Sequence, residues 1–105
     1  FKVKMGSTVI LDSGAVLAGN PCIARQWRLE AEMYVRVVGA SGSMIGSGVL
    51  TYSDDASQSI SISLGGGSAV TLDLDDDKAV NLTTQWSAGG VGNGATCFQA
   101  SVEVF

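Results

Sequence analysis

The segment Trp27 to Val38 constrains this chain more than any other. Its odd positions Trp27, Leu29, Ala31, Met33, Val35 and Val37 are apolar, and its even positions Arg28, Glu30, Glu32, Tyr34 and Arg36 are polar. Successive side chains of a strand point to opposite faces, so a strand puts the whole apolar set on one side. The intrinsic preference of Arg28-Leu29-Glu30-Ala31-Glu32-Met33 runs toward helix. The six alternating apolar positions outweigh it, because only a strand gathers them on one face. The spacing predicts a half-buried strand with its charges on the solvated side.

The same period recurs along the chain. Phe1, Val3 and Met5 alternate with Lys2 and Lys4, and Gly6-Ser7 turns the chain into the apolar run Thr8 to Leu11. Gly39 to Ser43 reads as a turn, and Met44 to Tyr52 as a strand whose Gly46 and Gly48 signal a bulge or close backbone packing. Ile60, Ile62 and Leu64 alternate with Ser59, Ser61 and Ser63, and Gly65-Gly66-Gly67 then leads into Ala69 to Leu74. Val80, Leu82, Thr84 and Trp86 form one face of a further strand, and Phe98, Ala100, Val102 and Val104 one face of the last. The pattern predicts an all-β chain of about eight antiparallel strands, arranged as a β-sandwich of jelly-roll type. Its longest irregular stretch is Ser13 to Gln26, which holds the only proline, Pro21.

Composition sets outer bounds. With 46% hydrophobic and 15% charged residues, the chain has enough apolar surface to form a core and does not read as disordered. No apolar run approaches the length of about 18 residues that a membrane-spanning helix needs. A net charge of −4 argues against nucleic acid as a partner. The absence of histidine removes Ser-His-Asp and Cys-His catalysis and His-ligated zinc. The 105 residues read as a single domain, 1–105. They begin at Phe1 within a strand pattern, as expected of a piece of a longer chain.

Few side chains carry candidate chemistry. Asp73, Asp75, Asp76 and Asp77 could supply oxygen ligands to calcium, but the EF-hand spacing is missing, and a solvated hairpin turn explains the same residues. Cys22 and Cys97 are either two free thiols or a disulfide closing a long loop, a bridge with an entropic gain of about 4–5 kcal/mol. Asp12, Glu30, Glu32 and Glu103 offer carboxylates for glycoside hydrolysis, yet Glu30 and Glu32 alternate with Arg28 and Arg36 as a surface ion-pair ladder would. Trp27, Trp86, Tyr34 and Tyr52 could stack on sugar rings. Trp27 and Trp86 fall on apolar strand faces, which favours packing, whereas Tyr34 falls on a polar face. Gly65-Gly66-Gly67 lacks the Lys-Ser/Thr pair and following helix of a phosphate loop, and nothing calls for a cofactor.

Lys2-Val3-Lys4-Met5-Gly6-Ser7-Thr8-Val9-Ile10-Leu11-Asp12-Ser13-Gly14 resembles a recurrent segment of bacteriophage virion proteins, the C-terminal β-sandwich domains of tail fibres, tailspikes and head fibres. Trp27-Arg28-Leu29-Glu30-Ala31 continues the likeness, with a small-residue turn near Gly39-Ala40-Ser41. So does Val80-Asn81-Leu82-Thr83-Thr84-Gln85-Trp86-Ser87, which is followed by a Gly/Asn/Ala loop and a closing strand Thr96 to Phe105. The resemblance spans nearly the whole chain through diffuse motifs that mark architecture. It implies a homotrimeric, jelly-roll-like, non-enzymatic domain on the virion surface, used in assembly or host attachment. Other virion proteins and a host surface glycan are then the expected partners, with no membrane insertion. Such domains carry further strands before the segment matching Phe1, which implies a fragment or a sheet completed by another segment or chain. On this reading the loop positions Asp54, Asp55, Gly90 and Asn93, with Tyr34, face the receptor. Trp86, Phe98 and Phe105 are then the expected subunit contacts. A capsid decoration protein and a secreted carbohydrate-binding module are the alternatives.

Overall fold

The structure, a computed structural model, describes residues 1–16, 26–54, 58–65, 67–86 and 94–104. Its strands are β1 (Lys2–Met5), β2 (Thr8–Asp12), β3 (Trp27–Val37), β4 (Gly42–Ser53), β5 (Ser59–Gly65), β6 (Val70–Leu72) and β7 (Val80–Thr83). They form two antiparallel sheets. One has the order β2-β1-β7; in the other, β4 pairs with β3 along one side and with β5 and β6 along the other. The expected all-β, sandwich-like arrangement is therefore present, with no helix among the described residues.

Contacts between the sheets run from β2 to β4 and β5. The buried core is Val3, Ile10 and Leu11 from one sheet and Met44, Leu50, Leu64 and Leu72 from the other. Two irregularities shape it. In the β1–β2 ladder Val3 opposes Leu11 while Lys4 opposes Val9, so Ile10 is the extra residue of a bulge. A bulge breaks strict alternation, and here both Ile10 and Leu11 are buried. Across from them, a Cβ on Gly46 would come within 2.9 Å of Ile10 Cγ2 and 3.1 Å of Leu11 Cδ2. Gly65 ends β5 at φ 72°, and a Cβ there would collide with Leu11 and the Gly46 carbonyl. Of the two glycines foreseen in β4, Gly46 thus marks close packing between the sheets, whereas a Cβ on Gly48 would meet the Glu30 carbonyl of the neighbouring strand β3.

The second irregularity lies in β3. Val35 opposes Met44 but Val37 opposes Ser43, so one residue is inserted between them. Met44 and Ser43 are neighbours and point to opposite faces, and cross-strand partners share a face. Val37 is therefore turned to the face opposite Val35, which corrects the sequence reading that aligned all six apolar positions. The helix-favouring residues 28–33 do lie in the strand, where Leu29 and Met33 are half-buried and Arg28, Glu30 and Glu32 exposed.

The closing strand expected over Thr96 to Phe105 is not formed. Residues 94–104 enter no ladder with any strand of the described residues, and Phe98, Val102 and Val104 are exposed. The strand expected through Trp86 stops at Thr83. Cys22, the partner in the candidate disulfide, lies outside the described residues, as do Asp55, Gly90, Asn93 and Phe105.

Leu11→Ala should destabilise the domain by about 2–5 kcal/mol, measured as a lower urea midpoint. Gly46→Val should cost about 1–3 kcal/mol by overpacking. In the double variant the new side chain occupies the vacated volume, so the combined loss should be smaller than the sum.

Candidate interaction surfaces

Lys2 and Lys4 of β1 point away from the core, since Val3 between them is buried. Lys2 is flanked by Asp12 of β2 on one side and Thr83 of β7 on the other. Its ammonium lies 3.3 Å from Asp12 Oδ2. Asp12 Oδ1 accepts the Gly14 N–H at 2.8 Å, closing the turn after β2. Ser13 Oγ accepts from the Phe1 amino group at 3.0 Å and donates to the Gly14 carbonyl at 3.0 Å. Beyond Thr83 the chain leaves the ladder, and Trp86 comes to line the same outer surface. The result is an open groove of about 580 Å3 bounded by Phe1, Lys2, Lys4, Asp12, Thr83, Gln85 and Trp86. Trp86 therefore does not share the inner face with Val80 and Leu82, as strict alternation predicts. It is 41% exposed beside two lysines, in a chain of net charge −4.

The other aromatic candidates divide as their strand faces suggest. Trp27 is half-buried and packs its ring on Phe1, with centroids 5.2 Å apart and planes at 51°. Tyr52 opposes it on β4 and packs against the core. Tyr34 is exposed and donates its hydroxyl hydrogen to Glu32 Oε2 at 2.6 Å. That bond, and then the carboxylate charge itself, push the Tyr34 phenol above its ordinary value of 10.0.

Several acidic candidates are engaged by local hydrogen bonds. Arg28 Nη2 donates to Glu30 Oε1, and both side chains are mostly exposed. Glu30 and Glu32 thus lie on an open sheet face, each engaged by its strand neighbour. Asp54, expected to face a receptor, is half-buried and doubly bonded to Gln58: Gln58 N–H donates to Asp54 Oδ1 at 2.8 Å and Asp54 N–H to the Gln58 carbonyl at 3.0 Å. Asp73 Oδ1 accepts the Asp75 N–H at 2.9 Å, which sets the turn after β6. Among the described residues, no three acidic or thiol side chains converge as metal ligands. Cys97 is exposed, with its thiol donating to the Gln99 carbonyl at 3.1 Å.

Exposed apolar side chains form the second surface. Val80 and Leu82 share the face of buried Val3 through the β1–β7 pairing, yet remain 43% and 41% exposed. Val35, Val37 and Val38 are open at the end of β3, and Phe98, Val102 and Val104 in the segment after β7. The long-range placement of Trp86 beside Lys2 and Lys4 had no local signal, because it depends on where the chain goes after Thr83. Compared with protein-family models, curated proteins and solved structures, the sequence matches none of them.

The Gly14 amide chiefly, and Lys2 in addition, hold the Asp12 carboxyl below its ordinary value of 3.8 despite some opposing desolvation. A depressed folded-state value means that this group's contribution to stability is complete above 3.8 and fades as pH falls through the lower folded value. Asp12→Asn should therefore weaken the dependence of the urea midpoint on pH in that acid range. Phenolate absorbance should show Tyr34 ionising above 10.0, and Glu32→Gln should bring it down.

Proposed function

We propose that this domain is a non-enzymatic structural element of a bacteriophage virion surface, the trimeric domain of a tail fibre or tailspike serving assembly and host-receptor attachment. The observation that carries this reading is the exposed apolar surface of a two-sheet β-domain. Phe98, Val102 and Val104, with Val80 and Leu82 on the uncovered inner face of β7, suit contact with further copies or other virion proteins. Burying each such side chain contributes about 1.5–3 kcal/mol, which gives association a driving force beyond the core described above. The resemblance of residues 2–14, 27–31 and 80–87 to virion β-sandwich domains supplies the class; the fold is compatible with it and with much else. A jelly-roll connection of the strands belongs to the same proposal. So does the capsid decoration alternative, which uses the same surface to cover a lattice.

The groove favours one second reading, a carbohydrate-binding module. Trp86 offers an aromatic face beside Lys2, Lys4 and Gln85, the combination of stacking surface and polar groups that holds a sugar. The two readings differ in association and in ligand. Light scattering at micromolar concentration should give a trimer mass, and labelling of purified particles with an antibody fragment should mark fibre ends. Regular label over the capsid would favour decoration. A monomer that labels no particle, with glycan-dependent Trp fluorescence lost in Trp86→Ala, would favour the binding module.

A further inference from the structure

The segment 94–104 has the residue pattern of a strand without a partner for it. Phe98, Ala100, Val102 and Val104 alternate with Gln99, Ser101 and Glu103. None of these residues is in a strand, and Phe98 and Val104 are 97% and 95% exposed. The matching feature is the outer edge of β3. Over Trp27–Val37 this strand pairs with β4 on one side, and no strand of the described residues pairs on the other. An edge of that length presents unpaired N–H and C=O groups that accept an added strand.

We propose that residues 96–104 of one copy add as an antiparallel strand to the β3 edge of a second copy, with Phe98 opposite Met33 and Glu103 opposite Arg28. In this register Val104 meets Trp27, Val102 meets Leu29 and Ala100 meets Ala31, which extends the apolar inner face of the sheet. On the outer face Ser101 and Gln99 lie opposite Glu30 and Glu32, so no like charges are opposed, and the one acid of the segment meets an arginine. A slip of one residue turns the apolar set to solvent. A slip of two in one direction sets Glu103 against Glu30, and in the other runs the pairing past the start of β3. The added strand ends opposite Val35, where the irregularity between Val35 and Val37 breaks the edge.

The acceptor is a second copy because residues 94–104 enter no ladder with β3 of their own chain. A contact between different surfaces of identical copies generates a ring when the rotation closes. The copy number of three rests on the trimer proposed above; the pairing itself does not.

The test uses Ala31→Cys and Ala100→Cys in one chain that also carries Cys22→Ser and Cys97→Ser. Opposed residues of an antiparallel pair lie about 4.5–5.5 Å apart at Cα, within disulfide reach. Mild oxidation should give a covalent trimer on a non-reducing gel. A mixture of the two single-cysteine chains should give a covalent dimer. Product of monomer mass only, or no cross-link from a chain that still scatters as a trimer, would overturn strand addition while leaving the trimer standing. A monomer without cross-link would overturn both. As a check independent of the new thiols' packing, Arg28→Glu or Glu103→Arg alone should lower cross-link yield by up to about fivefold, and the two together should restore it. Failure of the pair to restore it would overturn the register.

Discussion

Everything in this domain hangs on the seating of Leu11 against the second sheet. The bulge at Ile10 places two successive large side chains inward from a strand of five residues. They need a hollow, and Gly46 and Gly65 provide it by having no Cβ where one would meet Leu11 or Ile10. Gly65 does so at positive φ, which ends β5 there. The contacts of β2 with β4 and β5 centre on that fit, and the core lies beside it. Burial of Leu11, Leu50 and Leu64 to within 2% of complete shows how tight the small contact is.

The narrow overlap has a consequence at the margins. Val80 and Leu82 of β7 and Val35 of β3 lie on the core-side face of their sheets yet stay 41–52% exposed, so among the described residues part of the face that would be core in a wider sandwich is open surface. Charges at the solvated side of β3 and the irregularity after Val35 discourage indiscriminate edge pairing. A segment that presents alternating apolar residues and a single, correctly placed acid still fits. An edge guarded in this way suits the selective pairing proposed above.

The other outward feature, the Trp86 groove, arises from a different source. The outer side of β1 presents Lys2 and Lys4 because Val3 must face in, and Asp12 is tied down by Lys2 and by the turn at Gly14. The groove is built from strand alternation at one end and from the path of the chain after Thr83 at the other. Its chemistry is polar and aromatic, distinct from the apolar margin, so the two surfaces can serve different partners.

The all-β class, the extent of β3 and β5, the inward set Leu29, Met33, Ile60, Ile62 and Leu64, and the placement of Arg28 with Glu30 on the solvated face were legible from the residues alone. These follow from a two-residue period, which is a local property of a pleated backbone. Where the period fails is set by long-range packing. The inserted residues in β2 and β3, the exit of Trp86 from its expected face, the bonding of Asp54 to Gln58, and the absence of any ladder between 94–104 and the described strands all depend on what lies across from each residue. Alternation tells a side chain which side to take; the neighbouring strand or sheet determines whether that side is filled, and no single stretch of sequence contains its neighbour.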